Sequence, residues 1–329
     1  MTHSYLRPHS FWQMTLARCP IPLAGLALAI ASLGNALEGA VPLQGYARIA
    51  LGIMALCILL WLTLSALCAP QRIHQALMHP VAGGIVPTYC MAWMVVSRSL
   101  HDGAPMLMSG LWLLAVILHL SALARFAYCR WATRCWQHMA PSWFIPPVGI
   151  IVASLSCPAP YYHALCLALL GFGMMNLALL MPLMLYRLIM HPPLDSTAQP
   201  TLAILAAPVS LALAGYLTSV TEPNMWFCGL LCGIALLMTV LVYILLFSLL
   251  KFPFSPSFAA FTFPTVISAI ALQKMAQLPE LGRLSSTLPA GIAIASSIEL
   301  VIACALGSYV SFGFIKMGWC SVGRNPLFH

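Results

Sequence analysis

Pro200-Thr-Leu-Ala-Ile-Leu-Ala-Ala-Pro208 combines prolines and small residues inside a long apolar run of the chain. A proline inside a helix removes a backbone hydrogen bond and kinks the helix. The same combination recurs in every second apolar run. Taking one kink candidate from each run gives Pro22, Pro87, Pro147, Pro208 and Pro264, which are separated by 65, 60, 61 and 56 residues. This spacing predicts a five-fold repeat of a two-helix hairpin.

The composition indicates that these runs lie in a membrane. Of the 329 residues, 62% are apolar and 6% are charged, whereas a soluble globular domain carries about 25% charged residues. The net charge of +8 does not indicate a nucleic-acid partner, because basic residues in a multi-span protein mainly set its orientation. The twelve cysteines form no Cys-x-x-Cys pair, and those in apolar runs are expected to pack as small residues.

Ten apolar runs approach the length of about 20 residues that a helix needs to cross about 30 Å of hydrocarbon. They are residues 19–37, 46–69, 80–98, 104–127, 142–157, 160–189, 199–220, 225–250, 256–277 and 288–316. The fifth run is the shortest and is rich in proline. The expected division is an N-terminal arm over 1–18, a ten-helix transmembrane domain over 19–316 and a C-terminal tail over 317–329.

The basic residues predict the orientation of these spans. An even number of spans places both termini on one side. That side carries ten basic residues, Arg7, Arg18, Arg72, Arg125, Arg130, Arg134, Arg187, Lys251, Lys316 and Arg324. The other side carries four, which are Arg48, Arg98, Lys274 and Arg283. By the positive-inside rule both termini are predicted to be cytoplasmic, in a plasma membrane or a bacterial inner membrane.

The odd and even runs differ in character. The even runs are rich in leucine and apolar all round, which suits contact with lipid. The odd runs mix proline with small residues such as Gly25, and broken backbone at membrane depth is tolerated where protein or a water-filled cavity surrounds it. We expect an all-α membrane fold in which an inner ring of five kinked helices lines a central pore inside an outer ring. The alternative is that prolines and glycines only allow close helix packing.

Ionisable groups are almost absent from the odd runs, which contain no Asp, Glu, Lys or Arg away from their ends. Coupled transporters keep such groups at membrane depth to bind the driving ion. Glu299 in the tenth run and His119 in the fourth are the candidates, each as a proton site or as a contact between helices. No metal site, cofactor site or enzyme is expected, because no carboxylate pair, spaced histidine set or nucleophile with a base is present.

The ninth run contains Phe258-Ala-Ala-Phe261-Thr-Phe263-Pro264. An aromatic side chain directly before a kink proline can project into the narrowest part of a pore and close it by steric occlusion and dewetting. Phe263 is therefore the candidate gate. The alternative is that Phe263 packs as an ordinary core residue.

Five motifs in order along the chain carry a resemblance to a known family. They are Ile21-Pro-Leu-Ala-Gly25, His79-Pro-Val-Ala-Gly-Gly-Ile-Val-Pro87-Thr, Ser142-Trp-Phe-Ile-Pro146-Pro147-Val-Gly, Pro200 to Pro208, and Phe261-Thr-Phe263-Pro264. The chain resembles the tellurite-resistance/dicarboxylate transporter family, which includes bacterial tellurite-resistance proteins, yeast malate permeases and sulfite exporters, and guard-cell slow anion channels. The resemblance covers nearly the whole chain.

The resemblance implies five helical hairpins in a quasi-five-fold ring around a pore, as a homotrimer with one pore per protomer. The phenylalanine that occludes the pore in that family falls on Phe263. The expected function is an anion channel or transporter for small anions of the oxyanion, C4-dicarboxylate, sulfite, chloride or nitrate class. The alternative is a proton-coupled exporter of dicarboxylate, sulfite or tellurite, with Glu299 or His119 taking the proton.

Overall fold

The computed structural model describes residues 19–133, 139–284 and 287–323. The predicted N-terminal arm over 1–18 and residues 324–329 of the predicted C-terminal tail lie outside these ranges. Within them the regular structure is helical and contains no strand. The helices are α1 (Leu23–Ala40), α2 (Tyr46–Cys68), α3 (Pro70–Met78), α4 (Ala82–Ile85), α5 (Thr88–Ser99), α6 (Pro105–Thr133), α7 (Ile145–Val148), α8 (Val152–Leu155), α9 (His163–Met190), α10 (Ala207–Ser219), α11 (Met225–Leu249), α12 (Thr262–Ala276), α13 (Pro279–Leu284) and α14 (Leu288–Gly323).

Eight helical segments among the described residues are long and apolar enough to cross a membrane. They correspond to predicted runs one, two, four and six to ten, so the prediction of an all-α integral membrane protein is confirmed. The last helix, α14, extends to Gly323 and so passes residue 316, where the tenth run ends.

The two remaining runs are interrupted. The third run is the α4–α5 segment, which follows α3 at a bend of 113° and gives a ninth span if the bent pair counts as one. The fifth run is Pro141–Leu155, which is shorter than a span and consists of 3₁₀ turns joined to α7 and α8. Adjacent Pro146 and Pro147 prevent one long helix there. Helix length alone therefore does not give the predicted ten spans.

The repeated prolines lie where α-helices begin. Pro22 and Pro87 are the N-cap residues of α1 and α5. Pro208 is in the first turn of α10, Pro264 in that of α12, and Pro147 in that of α7. Proline is tolerated there because its missing N–H would have no partner within the helix. The prolines thus lie where the regular α-helix begins. Pro208 and Pro264 are inside the continuous helical spans Gln199–Ser219 and Pro256–Ala276, at the change from a 3₁₀ turn to an α-helix.

Tighter 3₁₀ turns precede three of these starts. They span Pro141–Phe144 before α7, Gln199–Ala206 before α10 and Pro256–Phe261 before α12. Such turns satisfy backbone groups by bonds three residues apart. Each of these inner segments therefore changes from a 3₁₀ turn to an α-helix part-way through the protein.

Burial separates inner segments from outer ones. In the spans Gln199–Ser219 and Pro256–Ala276, which contain α10 and α12, 78% and 83% of the residues are buried inside the protein. In the spans of α2, α6, α9 and α14 this share is 28%. The inner segments contact one another in sequence, α1 with α5, α5 with α8, α8 with α10, α10 with α12, and α12 with α1. These contacts close on themselves, and the leucine-rich helices lie outside them.

Close packing explains why a glycine is needed at one position of α4, Gly84. A Cβ atom added to Gly84 would lie 2.6 Å from the backbone oxygen of Ser142. Only glycine allows α4 to approach the start of the fifth segment this closely. The packing interpretation of the glycines therefore holds at Gly84.

Candidate permeation pathway

A central cavity of about 60 Å³ lies where the five inner segments meet. Every one of these segments contributes lining residues. Of the residues predicted to line a pore, those in contact with the cavity are Pro22, Gly25, Pro208, Phe263 and Pro264. Pro87 and Pro147 do not line it, although their neighbours Thr88 and Val148 do.

The central cavity is almost entirely apolar. Its two hydroxyl side chains are Thr88 and Ser257, and each is already bonded to a backbone carbonyl. The Thr88 hydroxyl donates to the oxygen of Ile85 at 2.7 Å, and the Ser257 hydroxyl donates to that of Thr197 at 3.2 Å. A narrow apolar passage of this kind closes by dewetting, because it offers water and ions few hydrogen bonds.

Phe263 lies in the first turn of α12, beside the cavity, and is 8% exposed. Across the cavity wall, Gly25 faces the turn that leads into α12. A Cβ atom on Gly25 would lie 3.6 Å from the Cβ of Ala259, an ordinary van der Waals distance. Gly25 is therefore not required by packing in the way that Gly84 is, and its lack of a side chain leaves space in the cavity.

Five α-helix starts line the same cavity. Pro22 caps α1, and Thr88, Ile145, Ala207 and Phe263 lie in the first turns of α5, α7, α10 and α12. All five residues line the cavity. Before α7, α10 and α12 a 3₁₀ turn runs directly into the first α-helical turn, so these starts are not free helix ends. No charged side chain lines the central cavity among the described residues.

A wider cavity, which we call the amino-side vestibule, has a volume of about 730 Å³. Pro22, Ile85 and Ser257 line both it and the central cavity, so the two spaces adjoin. Its ionisable lining residues are His79, Arg187, His191 and Asp195.

A third cavity, which we call the carboxyl-side vestibule, lies toward the C-terminal ends of the inner helices and has a volume of about 230 Å³. Its polar lining includes Ser32, Asn35, Arg98, Gln273, Lys274 and Gln277. Among the described residues, none lines both this vestibule and the central cavity.

Between the central cavity and the carboxyl-side vestibule lie residues that line neither space, which we call the closed layer. Along α1 the lining passes from Leu28 to Ser32, and along α12 it passes from Pro264 to Ile270. At a rise of about 1.5 Å per residue, these four and six residues correspond to a layer about 6–9 Å thick. Phe263 lies at its amino-side boundary.

His119 does not line any of the three cavities. It is fully buried on α6, and its Nε2 lies 2.8 Å from the carbonyl oxygen of Pro146. The nitrogen must be the donor, since a carbonyl oxygen only accepts. This places His119 behind the proline break of the fifth segment, where it satisfies a backbone carbonyl.

Glu299 is 6% exposed on α14 and also lies outside the three cavities. Its carboxylate interacts with Ser268 of α12 and lies near Tyr243 of α11. One turn before it, the Ser296 hydroxyl donates to the carbonyl oxygen of Ala269 at 3.0 Å. Glu299 therefore contacts the helix that carries Phe263. Elsewhere in the described residues, no group of three or more His, Cys, Asp or Glu is arranged to hold a metal ion.

The sequence interpretation missed Arg98 and Lys274 as cavity-lining residues. It counted both among basic residues of the less positive side. The feature that could have identified them is their position at helix ends. Arg98 lies in the last turn of α5 and Lys274 in the last turn of α12. Both helices are inner segments, and their final turns border the carboxyl-side vestibule.

The fold is that of an all-α protein with at least eight helices apolar enough to cross a membrane, counted among the described residues. The chain matches the voltage-dependent anion channel family (SLAC1) over residues 13–315. It belongs to that family, which is one of channels and transporters. The suspected relationship to slow anion channels is confirmed.

Two curated relatives are uncharacterized transporters of Methanocaldococcus jannaschii. One is 29% identical over an alignment of 214 positions that covers 57% of this chain and 61% of the relative. The other is 28% identical over an alignment of 221 positions that covers 59% of this chain and 64% of the relative. The similarity thus spans less than two thirds of each relative.

Proposed function

We propose that the protein is a channel or transporter for small anions, with a path that runs along the axis of the inner helices. The observation that carries this proposal is the meeting of all five inner segments at one cavity with a vestibule on each side. Membership of the voltage-dependent anion channel family supports it. The substrate class is that of oxyanions, C4-dicarboxylates, sulfite, chloride or nitrate.

The proposed architecture has ten spans, arranged as five hairpins in a quasi-five-fold ring over residues 19–316. The closed series of contacts among α1, α5, α8, α10 and α12 supports the ring. In this arrangement the protein is a homotrimer in a cytoplasmic membrane, and both termini are cytoplasmic. The basic residues of the terminal side support that orientation.

In the proposed closed state, Phe263 occludes the path. Its position beside the central cavity and at the boundary of the closed layer supports this role. The apolar lining adds a dewetting barrier to the steric one. Opening then requires the Phe263 ring to move or the α12 start to shift.

The charges along the path favour anions over cations. No acidic residue lines the central cavity or the carboxyl-side vestibule among the described residues. Arg98 and Lys274 line the carboxyl-side vestibule and add positive charge there. Cation channels, in contrast, commonly carry rings of Asp or Glu.

Reconstituted protein tests the proposal directly. Liposomes loaded with chloride, nitrate, sulfite or malate should release the anion down its gradient, and they should retain sodium. Protein-free liposomes and liposomes with heat-denatured protein are the controls. Equal release of sodium and chloride, or release no faster than in protein-free liposomes, would refute anion transport.

A second candidate is a proton-coupled exporter in which Glu299 takes the proton. The observation that favours it is the buried Glu299 carboxylate in contact with Ser268, on the helix that carries Phe263. The groups that face this carboxylate from the packed helices are Ser268, Tyr243 and Cys232. Protonation of Glu299 would therefore change its interaction with α12, the helix that carries Phe263.

Coupling predicts that flux follows an imposed pH gradient in the parent protein and that Glu299→Gln loses this dependence. The matched control is Glu222→Gln, which changes an exposed acidic residue in the loop before α11. Flux that is independent of the pH gradient in the parent protein would exclude coupling and leave passive anion passage.

A further inference from the structure

Four inner helices end at the carboxyl-side vestibule. Lining residues come from the C-terminal parts of α1, α5, α8 and α12. The C-terminus of a helix of several turns carries about half a negative elementary charge. The three longer helices, α1, α5 and α12, therefore place partial negative charge at this mouth, which would repel an approaching anion. The backbone thus opposes anion entry here.

Two basic side chains counter the negative charge of these helix ends. Arg98 lies in the last turn of α5 and Lys274 in the last turn of α12, and both line the vestibule. Each carries a full positive charge, so together they offset the negative helix ends. The amide groups beside them are already engaged, since Gln273 donates to the carbonyl of Ala36 at 2.9 Å and Asn35 to that of Ala31 at 3.3 Å.

The nearby acidic residues Asp102 and Glu38 form no ion pair with Arg98 or Lys274 in the described residues. Arg48 hydrogen-bonds Asp102 at 2.6 Å and holds the pKa of that carboxyl below its usual range. The charge of Arg98 acts on Asp102 more weakly. Glu38 accepts a hydrogen bond from the backbone N–H of Gly45 at 2.6 Å. Neither acidic residue lines the vestibule, and in the described residues neither Arg98 nor Lys274 forms an ion pair.

We propose that Arg98 and Lys274 form a binding site for one small inorganic anion, such as chloride or nitrate, at the carboxyl-side mouth. A vestibule of about 230 Å³ leaves the anion partly hydrated between the two cations. The site holds the anion next to the closed layer and makes this mouth selective by charge. Its role in permeation rests on the proposed function, whereas anion binding itself does not.

Chloride binding to detergent-purified protein, followed by chlorine NMR line broadening, tests the site without requiring transport. The variants are Arg98→Gln, Lys274→Gln and the double variant. A unit charge about 5 Å from an anion in a water-like dielectric changes affinity roughly fourfold, so each single variant should weaken binding by about that factor at low ionic strength. The double variant should lose the specific broadening. Arg283→Gln is the control, because Arg283 is exposed on α13 and does not line the vestibule.

A conservative variant separates charge from folding. Lys274→Arg keeps the positive charge and should retain chloride binding. Loss of binding in the glutamine variants can then be assigned to the lost charge, provided that these variants are folded. Parent-like broadening in the folded double variant, or loss of broadening in folded Lys274→Arg, would overturn the site. If the parent protein binds chloride but shows no anion flux in liposomes, the proposed function fails and the binding site stands.

Discussion

Phe263→Ala should open the path at the boundary of the closed layer. The change removes the phenyl ring and adds roughly 100 Å³ of void, on the scale of engineered protein cavities, to a central cavity of about 60 Å³. Loss of the ring removes the steric block at the boundary of the closed layer, which is about 6–9 Å thick. It also removes part of the apolar surface of the cavity. We expect anion conductance to rise at least about tenfold, which corresponds to a barrier lower by about 1.4 kcal/mol.

The same substitution should also reduce stability. Phe→Ala in a close-packed core costs about 3–5 kcal/mol, and Phe263 lies beside a cavity, so a loss near 3 kcal/mol or below is expected. Phe258→Ala is the matched control. Phe258 is fully buried, its ring centroid lies 4.7 Å from that of Phe261, and it does not line the central cavity.

Single-channel or macroscopic current in planar bilayers measures the opening, and thermal unfolding in detergent measures the stability. Phe258→Ala should lose at least as much stability as Phe263→Ala while its conductance stays at the parent level. Unchanged conductance in folded Phe263→Ala would refute the assignment of the gate. An equal rise in both variants would show that loosening of α12, and not removal of the ring, opens the path.

Three further outcomes follow from the structure. Gly25→Ala should leave the unfolding temperature nearly unchanged but reduce anion flux severalfold, since one methyl takes the place of about one water in a cavity with room for about four; unaltered flux in liposomes would argue against a path beside Gly25. Gly84→Ala should lower stability clearly in thermal unfolding, because its Cβ would meet the backbone oxygen of Ser142 at 2.6 Å, and a parent-like melting curve would contradict this. The Arg48–Asp102 pair should be stabilising above the usual pKa of Asp and should weaken as pH falls through the lowered pKa of Asp102; a pH titration of thermal stability should show a smaller acid-side loss in Asp102→Asn than in the parent.

The repeat of prolines and small residues predicted the inner segments from sequence alone. The reason is physical, because broken backbone in a membrane needs surrounding protein or water. Pro22, Gly25, Pro208, Phe263 and Pro264 lie beside one cavity, and their roles in a pore stay predictions. Proline chemistry does not distinguish a kink from a helix start, and the 3₁₀ turns before α7, α10 and α12 therefore had no sequence counterpart.

The charged mouth could not be predicted in the same way. Arg98 and Lys274 lie far apart in the chain, and only the packing of α5 and α12 around α1 brings them to one vestibule. His119 illustrates the same limit. Its sequence position allowed a proton site or a helix contact, and its bond to the carbonyl of Pro146 depends on how α6 packs against the fifth segment.

The reversal potential of the purified parent protein in a planar bilayer, under a tenfold salt gradient, tests anion passage along this axis most directly. We predict a value near the equilibrium potential of the anion, and a shift when chloride is replaced by a larger anion while the cation is unchanged. A reversal potential that follows the cation, or one that does not respond to anion replacement, would contradict an anion path.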